Sequence, residues 1–262
     1  MNEPLIIQLI ADYGVGDPAF AEVIQKLTFL DRSIRVGVTS VPAFSTVATG
    51  IWIAQFSTVN AHQGLIIYSN TAPRKVFIGH KEQTDGGRLV YSKLDNGVII
   101  IAVNAGYCLS FIKPRLKNLH VVKVPNAGSQ FRSRDYYPDA VVGIAHKEDY
   151  FIGEALDLDT IPNAPDNLIG FIDGYGNLKT TMRTSQNKIS VGTKIRITCN
   201  GISQTGVLAD ETYKIKDGDF SFAPGSTGGE DRFMEIWVRA GNAWLAFNKP
   251  KVEQEFIIEP LA

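Results

Sequence analysis

"LIADYGVGD", residues 9–17, decides how the first half of the chain is read. An apolar run ends at Asp12, two glycines follow with one residue between them, and Asp17 opens a helical pattern. Asp17 suits an N-cap, and Pro18 stands at the favoured first position. Apolar residues then fall at Phe20, Val23, Ile24 and Leu27, the spacing of one helix face. Gly14, Gly16 and Ala19 match the G-x-G-x-x-G/A spacing of a dinucleotide-binding turn. Asp12 and Asp17 oppose that reading, because a helix N-terminus with free glycine amides favours an anion, and here it faces carboxylates. A carboxylate suits instead a ribose diol, which donates two hydrogen bonds, or an ammonium or sulfonium.

Outward from this stretch, strands and helices alternate. "PLIIQLIA" is a continuous apolar run of the kind found in a sheet covered on both faces. "SIRVGVTSV" is the next strand, and residues 43–56 read as a second helix. "GLIIYSN", "GVIIIAV" and "NLHVVKV" are further strands, and "YYPDAVVGIAH" starts a helix. This alternation predicts an α/β domain with a mainly parallel sheet and flanking helices over residues 1–155. "LDLDTIPNAPDN" is rich in turn formers, so 156–167 reads as a linker. Residues 168–262 carry strand patterns ("NLIGFID", "NLKTTM", "TKIRITCNG", "FMEIWVRAGNAWLAFN"), with "RAGNA" as a hairpin turn. They predict a smaller all-β, barrel-like domain.

Composition limits the function. The chain has 262 residues, 44% hydrophobic and 20% charged, with a formal net charge of -1. That balance offers no electrostatic footprint for nucleic acid or an anionic membrane. No apolar run approaches the ~20 residues of a membrane span. Residues 1–11 lack a basic n-region and a cleavage pattern, so no signal peptide is expected. Two isolated cysteines, Cys108 and Cys199, predict reduced thiols in a cytoplasmic chain. The four histidines have no metal-ligand spacing and no nucleophile beside them.

Polar clusters punctuate the strand ends. "YSNTAPR" places Tyr68, Thr71 and Arg74 on one loop after a buried strand, where open α/β sheets take ligands. "QFRSRDYYPD" sets Arg132 and Ser133 before a helix. "LDNGV", with Asn96, reads most simply as a hairpin turn. "IDGYGNLKT" carries Asp173, Tyr175 and Asn177 on a glycine-rich turn. Tyr can stack on a base, and Asn can pair with an adenine edge.

Taken in order, "ADYGVGD", "LDNGV", "FRSRDYYPDAVVGIA" and "FIDGYGNLKT" resemble the motifs of the S-adenosylmethionine-dependent hydroxide adenosyltransferases and the related fluorinases and chlorinases. The resemblance runs over roughly residues 5 to 181, and "WLAFN" resembles that family's final strand. It implies a homotrimer, with S-adenosylmethionine held between the N-terminal domain of one subunit and the C-terminal domain of the next. It implies no cofactor beyond that substrate. Asp12 would grip the ribose diol, with Asp17 and Asp173 near the methionine ammonium. Phe44 would lie beside the ligand, Asn96 would belong to the binding set, Tyr175 would stack on adenine and Asn177 would read its edge.

The reaction implied is substitution at the ribose C5′ with methionine as leaving group. Hydroxide-transferring members use an Asp-Arg-His trio. Here Tyr68 stands at the Asp position, Arg74 at the Arg, and Arg132 at the His. Tyr68, Thr71 and Ser133 resemble the halide-framing residues of the halogenases. Arg239, in "WVRAGNAW", is the neighbouring candidate for the methionine carboxylate. Three outcomes follow from the resemblance: transfer to water giving adenosine and methionine, transfer to halide, or a binding protein without turnover.

Overall fold

The computed structural model of the chain describes residues 5–71, 76–78, 81–83, 87–125, 127–211 and 215–261. The chain divides into two compact units, residues 1–163 and 164–262.

In the first unit, β1 (Ile6–Ala11) leads through α1 (Pro18–Leu30) to β2 (Arg35–Ser40). Helix α2 (Thr46–Thr58) then leads to β3 (Ile66–Asn70). A short antiparallel pair, β4 (Val76–Ile78) and β5 (Lys81–Gln83), precedes β6 (Leu89–Lys93) and β7 (Ile99–Val103). Then come β8 (His120–Val122), α3 (Arg132–Asp135), α4 (Tyr137–Ala145) and β9 (Ile152–Ala155). The large sheet has the order β2-β1-β3-β7-β6-β8-β9. Its first four strands are parallel, while β6, β8 and β9 pair antiparallel. The sheet is therefore mixed rather than mainly parallel. The cause is local: residues 94–98 close a tight hairpin, so β6 and β7 must run in opposite directions. Gly97 has φ +81°, the left-handed position that closes such a turn.

Helices α1 and α4 cover one face of this sheet, where Ile7, Leu9, Ile66, Tyr68 and Ile101 meet Val23, Leu27, Ala140 and Val141. Helix α2 packs against β1 and β3 but shares none of that cluster, so it covers the other face. Its sequence has no polar side, and residues Thr46 to Ile51 are buried without a break. A helix apolar all round must be covered all round. The 105–115 segment supplies the second cover: a Cβ on Gly50 would lie 2.5 Å from the Tyr107 carbonyl oxygen and 2.9 Å from the Phe111 ring.

The second unit contains β10 (Ile169–Ile172), β11 (Leu178–Arg183), β12 (Lys194–Cys199), β13 (Ile202–Leu208), β14 (Phe220–Pro224) and β15 (Phe233–Val238). Helix α5 (Ala243–Ala246) and β16 (Phe256–Pro260) complete it. The sheet order is β10-β11-β15-β14-β13-β12-β16, antiparallel except for the parallel pair β13–β14. It curls into a half-barrel, with a bridge between Leu168 and Glu255 joining the approaches to its two edge strands. Its core is formed by Ile169, Leu178, Ile195, Ile197, Phe222, Ile236, Phe247 and Phe256. The expected hairpin through "RAGNA" is corrected here. The strand stops at Val238, and "AWLA" is the short helix α5. The Asn242 side chain accepts from the Leu245 N–H at 2.8 Å, an N-cap that turns the chain into helix instead of a return strand.

Helix propensity alone predicts that Gly50→Ala stabilises the protein by about 1 kcal/mol. The approach of the Tyr107 carbonyl predicts the opposite: a loss of roughly 1–3 kcal/mol from overpacking. Urea unfolding of the variant decides between the two signs.

Candidate functional site

The strands of the first unit diverge in connection at β1. The chain leaves β1 over one face to reach β2, then crosses back over the other face to β3. Ligands of open α/β sheets bind where the connections part in this way, beyond the carboxyl ends of the strands. A cavity of about 370 Å³ opens there. It is lined by Asp12 and Tyr13 after β1, Asn70 at the end of β3, Val103 at the end of β7, Phe44 before α2, and Gln130 to Ser133 with Tyr137 around α3.

Asp12 is held at this cavity by backbone geometry. Its Oδ2 accepts from the Phe44 N–H at 3.0 Å. Phe44 has φ +65°, a left-handed conformation that a bulky residue rarely adopts. It stands third in the turn Pro42–Ser45, closed by the Ser45 N–H to the Pro42 carbonyl at 3.0 Å. That position ordinarily takes glycine. Strain of this kind persists where the surroundings enforce it, and it clusters at ligand sites. Burial raises the Asp12 carboxyl above its ordinary 3.8, with the Phe44 N–H pulling the other way.

The phenol of Tyr13 joins three elements. Its oxygen lies 2.7 Å from Ser133 Oγ and accepts from Asn70 Nδ2 at 3.1 Å. Burial pushes the phenol up to about 12, so it stays protonated. The ring packs edge-on against Phe20 and Phe131. Tyr13 and Asn70 are not among the residues that the sequence singles out. Tyr13 occupies the apolar middle position of "DYG", and its hydroxyl is the one signal that sets it apart.

The structure brings Asp12, Phe44, Arg132 and Ser133 together, while Asp17, Tyr68, Thr71, Asn96, Asp173, Tyr175, Asn177 and Arg239 do not line this cavity. Asp17 caps α1: its Oδ1 accepts from the Ala19 N–H at 2.8 Å, on the exposed side of a turn in which Gly16 has φ +85°. Tyr68 is wholly buried, and its hydroxyl donates to the Ser133 carbonyl at 2.9 Å. It does not line the cavity, because the pleat of β3 sends its ring into the core that α1 and α4 cover. Thr71 is also buried, bonded to Thr49 Oγ1 at 2.8 Å. Arg74 lies outside the described residues. Asn96 sits before β7, at the opposite end of the strand from this cavity. Its Nδ2 donates to the Ser57 carbonyl at 2.9 Å, one of the last carbonyls of α2 that no helix N–H reaches.

The second unit has its own cavity of about 510 Å³, and Asp173, Tyr175 and Asn177 line it. Asp173 organises the turn: Oδ1 accepts from the Tyr175 and Asn177 N–H groups, and Oδ2 from Asn177 Nδ2 at 2.9 Å. Tyr175 is 81% exposed. Deeper, Lys179 and Glu235 form a buried ion pair at 2.5 Å. Arg239 does not line this cavity; its Nε donates to Asp217 at 2.9 Å. Among the described residues no group of three or more His, Cys, Asp or Glu side chains is gathered as a metal site, and no helix is long and apolar enough to cross a membrane.

No protein-family model and no curated relative matches the chain. Solved structures share its fold. An uncharacterized conserved protein from Thermotoga maritima superposes with a TM-score of 0.72 at 15% identity, over 96% of this chain and 99% of that one. A conserved hypothetical protein from Thermus thermophilus superposes with a TM-score of 0.69 at 15% identity, over 98% of this chain and 100% of that one.

The raised Asp12 carboxyl has a measurable consequence. Well below pH 3.8 the group is protonated in both folded and unfolded chains and has no effect on their balance. As pH rises, the unfolded chain ionises first, and stability falls until the folded pKa is passed. Asp12→Asn keeps an acceptor for Phe44 without the charge. It is expected to be more stable than wild type at neutral pH, with the gap closing toward pH 3.8. Urea midpoints of both proteins across this range test the sign.

Proposed function

We propose that the protein binds S-adenosylmethionine and transfers its adenosyl group to water, giving adenosine and methionine. The observation that carries the reading is Asp12: a partly buried carboxylate, fixed by the Phe44 N–H, at the mouth of a cavity beyond β1 and β3. A diol offers two O–H donors to such an acceptor, and a phosphate offers none. The exposed glycine turn beside it carries a second carboxylate, which favours a cationic sulfonium over an anion. The Tyr175 ring and the Asn177 carboxamide provide, in the second unit, a stacking surface and a polar edge for a purine. The motif resemblance supplies the reaction and the trimer, in which the second unit of a neighbouring copy would close over the base.

In this reaction the oxygen of water bonds to C5′, the C5′–S electron pair passes to sulfur, and one water proton is released. Methionine leaves as a neutral thioether, so no acid is required to protonate it. The protein's work is to hold water in line behind C5′ and exclude competing solvent. Tyr68 and Thr71 have their hydroxyls bonded within the core, which weighs against the halide-framing role that the resemblance offered them.

Incubation with S-adenosylmethionine, with and without chloride or fluoride, followed by separation of the nucleosides, tests the reading. Adenosine in every tube supports it. A 5′-halo-5′-deoxyadenosine would replace water by halide as the nucleophile, and saturable binding without product would leave a binding protein. Asp12→Ala is expected to weaken binding by roughly 1–3 kcal/mol for each donor left without its acceptor. Unchanged affinity by calorimetry would remove Asp12 from the site.

A further inference from the structure

Arg132 lines the cavity of the first unit and makes no ion pair with a described residue. Its guanidinium stands over the Tyr137 ring, 5.9 Å from the centroid, a contact that leaves the N–H edge available. Arg134, two residues on, shows the contrast. It is bound to Asp135 at 2.6 Å and Glu22 at 3.1 Å, and so ties α3 to α1. The Asp135 side chain also accepts from Ser129 Oγ. The loop is thus anchored by Arg134, and Arg132 is not needed for that purpose.

The wall beside Arg132 also has a donor to spare. Tyr13 and Ser133 carry two hydroxyl hydrogens between them, and their mutual bond at 2.7 Å uses one. Asn70 donates to Tyr13, so it consumes a lone pair and supplies no acceptor. Whichever hydroxyl donates to the other, one hydrogen remains without an acceptor among the described residues. Ser133 is buried, so a hydrogen left unused there favours a ligand oxygen or halide that can accept it. Guanidinium and hydroxyl together form a donor wall, in the same cavity as the acceptor Asp12.

We propose that Arg132, with the Tyr13–Ser133 hydroxyl pair, forms an anion subsite inside the cavity. The anion-binding site itself rests on this geometry; the identity of its occupant rests on the proposed function. Two sources share the chemistry: the carboxylate of the methionine tail, and a free halide. A carboxylate would meet the guanidinium edge in paired hydrogen bonds, as Arg–carboxylate pairs commonly do. This assigns to Arg132 the role that Arg239, engaged by Asp217, was expected to fill.

Crystals soaked in sodium bromide test the subsite directly. An anomalous peak within roughly 3.5 Å of the Arg132 guanidinium or Ser133 Oγ is expected, and its loss in Arg132→Ala. Calorimetry in chloride-free buffer then separates the sources. If the tail carboxylate is the occupant, wild type binds S-adenosylmethionine more tightly than its decarboxylated analogue by roughly ten- to hundredfold. Arg132→Ala abolishes that preference while leaving adenosine affinity unchanged, and Arg132→Lys restores part of it. If halide is the occupant, added chloride changes adenosine affinity in wild type and not in Arg132→Ala. Absence of bromide at Arg132 together with equal affinities of wild type and Arg132→Ala for all three ligands overturns the subsite. A bromide peak at Arg132 in a protein that binds neither adenosine nor S-adenosylmethionine upholds the subsite and overturns the proposed function.

Discussion

Parallel pairing of β1 with strands on both sides is the constraint from which the first unit follows. Each parallel neighbour requires a crossover: the chain passes from β1 to β2 over one face and from β2 back to β3 over the other. One carries α1 and the other α2, on opposite faces of the sheet. A gap is left where they part, beyond Ala11 and Asn70. The residue after β1 is Asp12, so a carboxylate enters that gap as a consequence of strand order.

The gap is furnished from segments far apart in sequence. Phe44 reaches Asp12 across 32 positions, Asn70 reaches Tyr13 across 57, and Ser133 reaches Tyr13 across 120. The result is a cavity with an acceptor on one side and donors on another. The Phe44 turn joins the fold to the site. Its left-handed backbone points the N–H at the carboxylate, and Ser45 then caps α2 by accepting from the Ala48 N–H at 3.1 Å. Strain at one residue therefore sets both the aim of Asp12 and the start of the helix that covers the sheet.

The second unit solves a different problem. Its curled sheet buries Lys179 and Glu235 on neighbouring strands, and the Ser226 N–H gives Glu235 a further donor. Gly225 leaves room for that carboxylate, since a side chain there would occupy the place of Oε1. A buried pair of this kind contributes little net stability, but removing one partner strands a charge. It forms the floor of a cavity whose rim is the Asp173 turn.

Local rules made the α/β half legible. The apolar runs became β1, β3 and β7, the cap and proline at 17 and 18 began α1, and the Asn-Gly stretch became a hairpin. The same rules failed at "RAGNAWLAFN", where a side-chain cap outweighed an apolar run that also suits a strand. They did not single out Tyr13 and Asn70, which line the cavity, and they put Tyr68 and Thr71 on a strand-end loop, whereas both hydroxyls are bonded inside the core. Spacing along a chain reports which residues share a strand end or a helix face, because those periods are properties of the backbone. It does not report which hydroxyl is consumed by a neighbour 65 residues away. The sequence by itself determined the strands and helices around β1 and put a carboxylate at the end of that strand. Only tertiary structure decided which donors face it, because hydrogen bonds between distant segments are settled by packing.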